Sequence, residues 1–157
     1  MISNVPNQKD LQISLQSINQ ENWRNVADLE VSDFQSEFVA DPTNYLALCS
    51  YGGDWSPLAI CLGAQVIGFM MWTTDPADES CWLGGIIIDK SLQKCGYGKE
   101  AVKTALAELQ REHGYKYFAL SYQPANLVAK NLYDKLGFIE TNEWEDNEIV
   151  ARLMLKE

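Results

Sequence analysis

Apolar and polar positions along the chain follow two periods, and each period predicts one kind of element. Period-two alternation and short apolar runs, bounded by glycine, proline or acidic residues, are typical of strands. Seven segments show such patterns: Gln12–Ile18, Pro57–Leu62, Gln65–Thr73, Trp82–Asp89, Tyr117–Tyr122, Phe138–Glu143 and Glu148–Leu155. Gly63-Ala64 joins the second and third as a short hairpin. Gly84-Gly85 inside the fourth indicates a bulge or a close ligand approach.

Helical spacing of apolar residues predicts four helices. The longest is Glu100–Glu112, with an apolar stripe of Ala101, Val102, Ala105, Leu106 and Leu109. The other three run from Asn19 or Asn22 through Leu29, from Asp41-Pro42 to Gly52-Gly53, and from Pro124-Ala125-Asn126 to Gly137. Residues 1–10 are predicted to be a frayed lead-in. Without repeats or a linker, the pattern predicts one mixed α/β (α+β) domain over residues 1–157 with a largely antiparallel sheet.

Composition narrows the class of protein. Hydrophobic residues make up 46% of the chain and charged residues 22%, which is typical of a soluble globular domain. The net charge of −10 argues against non-specific nucleic-acid binding and favours a cationic partner, although most acidic side chains serve solubility. Four cysteines without Cys-x-x-Cys spacing, together with a single histidine, argue against a zinc site.

The sequence also gives an expectation about location. Residues 1–10 have no apolar signal-peptide core, and the longest apolar run, Val66–Trp72, is far shorter than the ~20 residues that a membrane span needs. We therefore expect a cytoplasmic protein without a membrane segment.

Candidate chemistry lies in the loop Gln93–Lys99, Gln-Lys-Cys-Gly-Tyr-Gly-Lys, between the strand Trp82–Asp89 and the longest helix. Glycines allow close backbone approach, and free amides at a helix N-terminus attract phosphate, which predicts a pyrophosphate cradle. A simple glycine turn is the alternative from this loop alone. A P-loop is excluded because Glu100, not Ser or Thr, follows Gly98-Lys99.

A dinucleotide fingerprint also fits poorly. Lys90–Cys95 separate the strand from Gly96, and the next strand ends in Ser121-Tyr122-Gln123 without a ribose-binding acid. The remaining pattern, Gln-x-x-Gly-x-Gly, resembles the acyl-CoA pyrophosphate loop of the GNAT N-acetyltransferases.

A second motif strengthens this resemblance. Residues 126–138 read Asn-x-x-Ala-x-x-Leu-Tyr-x-x-x-Gly-Phe, which by itself describes an amphipathic helix with a glycine stop. This motif comes one strand after the glycine loop and its helix, and it is similar to the second cofactor-binding motif of the GNAT superfamily. Three other stretches, Glu21–Trp23, Pro57–Ile60 and Glu148–Ala151, resemble bacterial spermine/spermidine or diamine acetyltransferases.

The resemblance implies a GNAT-like fold of about seven strands and four helices, acetyl-CoA as cofactor, and a set of cofactor contacts. Backbone groups of Ile86, Ile87 and Ile88 would pair with the pantetheine arm, and Asn126 would hydrogen-bond the arm or a water. Tyr133 would bind near the thioester and protonate the leaving thiolate, because a phenol of pKa ~10 can donate to a thiolate of ~8.5. The pyrophosphate loop would comprise Gln93, Lys94, Cys95, Gly96, Tyr97, Gly98 and Lys99.

The chain departs from the family pattern at two places. Lys94 stands where glycine is common. No carboxylate base lies on the central strand near Trp82, so the base is left open. A water chain to Asp78, Glu79 or Glu37, or an amine that arrives deprotonated, are the alternatives. His113 lies at the far end of the longest helix and is not expected to act as a base.

For the acceptor, the resemblance favours a small cationic amine, with a polyamine such as spermidine or spermine first. Asp33 and Glu37 would bind ammonium groups, and Trp72 and Trp82 would line the same cleft by cation–π contact. The alternative for these four residues is an acidic surface with two core aromatics. Two other functions stay open: acetylation of a protein or peptide N-terminus, and a non-catalytic acyl-CoA-binding module. A homodimer is an open expectation.

Overall fold

The computed structural model describes residues 12–156, so the lead-in predicted at residues 1–10 lies outside the described part of the chain. All seven predicted strands and all four predicted helices are present. In chain order they are β1 (Ile13–Ser17), α1 (Trp23–Ala27), α2 (Pro42–Tyr51), β2 (Ser56–Leu62), β3 (Gln65–Asp75), β4 (Ser80–Ile88), α3 (Tyr97–His113), β5 (Tyr117–Tyr122), α4 (Leu127–Lys135), β6 (Ile139–Glu145) and β7 (Glu148–Met154). Short 3-10 turns lie at Gln35–Glu37 and Lys90–Leu92.

The strands form one sheet in the order β1-β2-β3-β4-β5-β7-β6. Every neighbouring pair is antiparallel except β4 and β5, which run parallel with α3 as the crossover between them. This confirms the predicted mixed α/β class with a largely antiparallel sheet. Among residues 12–156, no helix combines the length and the apolar character that a bilayer crossing requires.

The two faces of the sheet have separate cores. On one face, α3 and α4 cover apolar side chains of β4, β5 and β7, including Leu83, Phe118 and Leu120. The predicted stripe of α3 is buried here, and Leu106 and Leu109 contribute about 1.5–3 kcal/mol each by leaving water. On the other face, α1 and α2 cover residues of β2 and β3 such as Phe69 and Met71. A ligand between β4 and β5 therefore meets groups from both layers.

Two helix boundaries differ from the predictions. The helix α3 begins at Tyr97, three residues before the expected Glu100, because Gly96 turns the chain with φ 84° and caps the helix itself. The helix α1 ends at Ala27, before the expected Leu29. In α2, the predicted cap is present: the Thr43 amide donates to Asp41 Oδ1 at 2.8 Å, and Pro42 follows.

Candidate active site

The sheet is split at its centre, where β4 and β5 part after a short parallel contact. Only Cys81 pairs with Phe118 and Trp82 with Ala119. Further along, the register between β3 and β4 shifts at the predicted Gly84-Gly85 bulge, where Gly85 has φ 59°. The strand β4 therefore turns away from β5, and a cavity of about 570 Å³ occupies the split.

At one end of the split, the loop before α3 leaves donors free for an anion. The Glu100 amide donates to the Gly96 carbonyl at 3.2 Å, so the amides of Tyr97, Gly98 and Lys99 precede the first intrahelical bond. A Cβ placed on Gly96 would meet nothing within 4 Å, so the backbone is open to a ligand. At the N-terminus of a 17-residue helix, this arrangement fits a pyrophosphate group.

The other residues of this loop hold its shape. Lys94, which replaces the common glycine, adopts φ 64°, so a lysine takes the left-handed conformation that glycine adopts more easily. At Gly98 the absence of a side chain allows close packing against α4, because a Cβ there would lie 3.2 Å from Leu132 Cδ1. Cys95 is exposed, and its thiol contacts the Gln93 carbonyl at 3.5 Å.

Gln93 uses its side chain within the protein. Its amide nitrogen donates to the Ile88 carbonyl at 3.1 Å and to the Gln35 side chain. Gln93 therefore ties the end of β4 and the loop to the turn Gln35–Glu37. Of the three central isoleucines, Ile86 and Ile88 line the cavity, whereas Ile87 is fully buried and does not.

The helix wall of the cavity is formed by Gly98, Asn126, Leu132 and Tyr133. The Asn126 side chain caps α4 by accepting the Ala129 amide at 3.3 Å. Tyr133 is 9% exposed, and its hydroxyl has no hydrogen-bond partner among residues 12–156. Burial, with a smaller effect from Glu148 and Tyr45, raises the pKa of Tyr133 above its usual value, so the phenol keeps its proton at neutral pH.

The acidic wall is the part of the lining contributed by strand residues and is formed by Asp75, Trp82, Ser121, Glu145 and Glu148. Ser121 Oγ donates to Glu148 Oε1 at 2.9 Å. The Trp82 indole N–H is buried without an acceptor among the described residues, which costs about 1–3 kcal/mol unless a ligand or water accepts it. In the described chain, three carboxylates and no lysine, arginine or histidine line this cavity.

The structure corrects the expectation that Trp72 and Trp82 line one cleft. Trp72 pairs with Leu83, and Trp82 pairs with Thr73. Because neighbouring positions of a strand point to opposite faces, the two indoles lie on opposite sides of the sheet. Trp72 packs against His113 and Tyr115, with ring centroids 5.2 and 6.1 Å away, whereas Trp82 lines the cavity.

Asp33 and Glu37 are not brought to the cavity either. Both are exposed, Asp33 just before the turn Gln35–Glu37 and Glu37 at its end, whereas Gln35 and the following Phe38 line the cavity. The turn positions these two neighbours towards the split and leaves the acidic side chains in solvent. The predicted acidic segment therefore lies beside the cavity.

Like Glu37, the two other carboxylates considered as bases, Asp78 and Glu79, do not line the cavity. Asp78 binds Arg152 Nη2 at 2.9 Å. Partial burial by itself would raise the pKa of Asp78, but hydrogen bonds from the Ser80 amide and from Arg152 outweigh it, and the pKa of Asp78 is lowered. Glu79 is exposed. Glu148 was overlooked as a site residue; its position in the closing stretch Glu148–Ala151 was the available signal, but only the β5–β7 pairing brings it to the split.

Residues 21–138 match the acetyltransferase (GNAT) family, and the chain belongs to that family. It is therefore an N-acetyltransferase, and acetyl-CoA is its acetyl donor. The geometry of the Gly96 loop fits this cofactor. Because this is a family of enzymes, a non-catalytic acyl-CoA-binding module is no longer an alternative.

Individual relatives are more distant. Over 153 residues the chain is 26% identical to the spermine/spermidine N(1)-acetyltransferase of Bacillus subtilis (strain 168), covering 94% of this chain and 99% of that protein. Among solved structures, it is similar to spermidine N-acetyltransferase from Vibrio cholerae in complex with CoA and spermine, with TM-score 0.70, 16% identity and coverage of 92% and 95%. The ribosomal-protein-S18-alanine N-acetyltransferase from Escherichia coli gives TM-score 0.68, 16% identity and coverage of 93% and 96%. These two structures share the fold.

Proposed function

We propose that this enzyme acetylates a primary amine of a small polycation such as spermidine or spermine. The observation that carries the proposal is the charge of the cavity: three carboxylates and no basic side chain line it within residues 12–156. Trp82, Trp55 and Tyr45 add aromatic surface to the same cavity. Ammonium groups gain from both carboxylates and aromatic rings. The Bacillus relative, named for spermine and spermidine, supports the same substrate class.

The residues of the helix wall and the loop serve the donor. When bound, acetyl-CoA supplies an acetyl thioester whose carbonyl carbon accepts the amine. The amides of Tyr97, Gly98 and Lys99 bind its pyrophosphate, and the splayed backbone of β4 at Ile86–Ile88 offers hydrogen bonds to its extended arm. Asn126 stays a candidate contact, as its side-chain nitrogen is not used by the α4 cap.

Tyr133 donates a proton to the departing sulfur. Its hydroxyl faces the cavity without a protein partner in the described chain, so the proton is available to a ligand. Its raised pKa keeps the phenol protonated across the neutral range, which suits an acid and not a base.

The test is a panel of amines with acetyl-CoA, followed by release of free thiol and by product mass. Spermine, spermidine, a diamine, butylamine and a peptide with a free N-terminus are compared. We expect kcat/KM to rise about tenfold for each additional ammonium group, since a charge-assisted hydrogen bond contributes about 1.5 kcal/mol or more. If the peptide is acetylated faster than spermidine, the acceptor is a protein or peptide N-terminus and not a polyamine. If butylamine is acetylated as fast as spermidine, the additional ammonium groups are not recognised and the polyamine proposal is wrong.

A homodimer and a cytoplasmic location belong to the same proposal. The strand β6 lies at the edge of the sheet and exposes Ile139 and Trp144, at 72% and 55%. Such an edge can pair with a second copy. Trp144→Glu should then shift the mass measured by light scattering from dimer to monomer; an unchanged mass would place the contact elsewhere. Four free cysteines suit a reducing compartment.

A further inference from the structure

Glu148 occupies an unusual position in the acidic wall. It is the first residue of β7, after the two-residue turn from β6, and its partner across the ladder is Glu145. Like charges directly opposite each other on neighbouring strands are destabilising. Neither glutamate has an ion-pair partner within residues 12–156, so a cation that enters the cavity would relieve this repulsion.

Ser121 fixes the Glu148 side chain from the neighbouring strand. Its hydroxyl donates to Glu148 Oε1 at 2.9 Å, while the other carboxylate oxygen has no hydrogen bond from the described residues. Both side chains are half-buried and line the split between β4 and β5. One oxygen is therefore held by the protein, and the second is left for a ligand.

A second and independent observation comes from the helix wall. The Tyr133 side chain, nine-tenths buried, presents a hydroxyl to the same cavity without a partner in the described part of the chain. The cavity thus has an unused proton donor on its helix wall and an unused acceptor on its acidic wall. Acetyl transfer to an ammonium group requires one group of each kind.

We infer that Glu148, positioned by Ser121, binds the reacting ammonium group and accepts its proton, which supplies the base that β4 lacks. The inference rests on the proposed acetylation of an amine but not on that amine being a polyamine. Glu148 would be a catalytic residue, because it touches the reacting nitrogen. Ser121 would be a positioning residue that acts through Glu148.

The proton balance of this step is complete. Glu148 takes one proton from the ammonium group and passes it to solvent, so that a neutral amine attacks the acetyl carbon. A nitrogen–carbon bond forms, the carbon–sulfur bond breaks, and Tyr133 gives its proton to the sulfur. The second proton lost by nitrogen restores the Tyr133 hydroxyl, and no further reactant is needed.

The other carboxylates near the site are bound by other groups or lie closer to solvent. Asp78 and Glu143 both bind Arg152, which lies over the Trp82 ring at 5.5 Å from the ring centre. Asp75 accepts the Ala77 amide at 2.9 Å in the turn before β4. Glu145 lines the cavity but is exposed, which places it towards the solvent side of the acidic wall.

The experiment compares Glu148→Gln with Glu145→Gln, two identical chemical changes at paired positions. With the best amine of the panel, Glu148→Gln should lower kcat/KM at pH 7 by ~10²–10⁴, and this loss should shrink as pH rises and the free amine forms without help. Calorimetry should show unchanged acetyl-CoA affinity and weaker amine binding. Glu145→Gln should raise KM only a few-fold, and this small loss should not shrink as pH rises.

Ser121 gives a second readout. Ser121→Ala should lower kcat about tenfold, the effect of losing one hydrogen bond to a charged group, and shift the pH profile in the same direction as Glu148→Gln. Ser121→Thr keeps the hydroxyl on a residue that strands accept, and it should restore both. A Glu148→Gln enzyme whose pH profile runs parallel to that of the wild type would overturn the role as base. If the peptide is the best substrate in the amine panel, the polyamine function is overturned, whereas the pH test of Glu148 can still be carried out with that peptide.

Discussion

The two walls of the cavity are built in different ways, although they face the same split. The helix wall and the Gly96 loop come from one stretch, Gln93–Tyr133, in which the loop, α3 and α4 follow in order with only β5 between the two helices. The acidic wall collects Asp75, Trp82, Ser121, Glu145 and Glu148 from five strands. The proposed donor site is therefore readable as motifs, whereas the proposed acceptor site depends on how strands pair.

The difference has a functional consequence. Under the proposed function, a helix N-terminus and a buried tyrosine would offer the same groups to any acyl-CoA, so the helix wall would define the reaction. The acidic wall can change its charges and aromatic rings without disturbing the helices, because its residues lie on separate strands. We therefore expect substitutions in the helix wall to affect every substrate and substitutions in the acidic wall to affect amines selectively.

The largest effect should come from Tyr133→Phe, which keeps the packed ring and removes only the donor. We expect kcat to fall by ~10²–10⁴ for every amine, with acetyl-CoA affinity and thermal midpoint unchanged. Stopped-flow measurement of the chemical step together with calorimetry checks this. If the Tyr133→Phe enzyme kept nearly the wild-type kcat while the chemical step limited turnover, water and not Tyr133 would protonate the leaving thiolate.

Gly96→Val should be next, because a branched side chain would be placed where the backbone is open to phosphate. We expect the Kd for acetyl-CoA to rise at least about tenfold, on the order of 1.4 kcal/mol. Gly114→Val is the matched control: Gly114 ends the same helix with φ 76° and also has no neighbour within 4 Å of a Cβ. Both variants carry similar backbone strain, so equal losses of affinity would remove the phosphate role from Gly96.

Substitutions of the two tryptophans, one in the acidic wall and one on the other face of the sheet, should have effects of intermediate size. Trp82→Leu should raise KM for spermidine about fivefold, the effect of losing a cation–π contact of about 1 kcal/mol. Trp72→Leu should lower the thermal midpoint by loosening the stack with His113 and Tyr115, while KM stays within about twofold. If Trp72→Leu alone changed KM, the amine would enter from the α3 side of the sheet.

The smallest effect is expected for Asp33→Asn and Glu37→Gln. Both side chains are exposed and lie outside the cavity lining, so they act on a cation only through screened, long-range attraction. KM for spermidine should rise by less than about twofold at physiological salt. Comparison with Glu148→Gln at low and high ionic strength checks this: a large and salt-independent effect of Glu37→Gln would mean that the turn Gln35–Glu37 folds over the bound amine.

Local signals were sufficient for most of the architecture. Alternation, helical stripes, the Asp41-Pro42 cap and the glycine stops predicted seven strands and four helices, because each depends on residues a few positions apart. Gln93–Lys99 and Tyr133 were identified from sequence motifs, and their roles in cofactor binding and catalysis stay predictions. The start of α3 was missed by three residues, since the conformation of Gly96 decides whether Tyr97–Lys99 belong to the loop or to the helix.

By itself, the sequence determined the elements, the donor motifs and the acidic balance of the chain. Only the tertiary structure decided which acidic and aromatic side chains reach the cavity. The physical reason is strand register: Trp72 and Trp82 are separated by one position of the β3–β4 ladder, and that single step puts them on opposite faces. Likewise, the pairing of β7 with β5 and the parting of β5 from β4 bring Glu148 to the same cavity as Tyr133, although no local pattern links these residues.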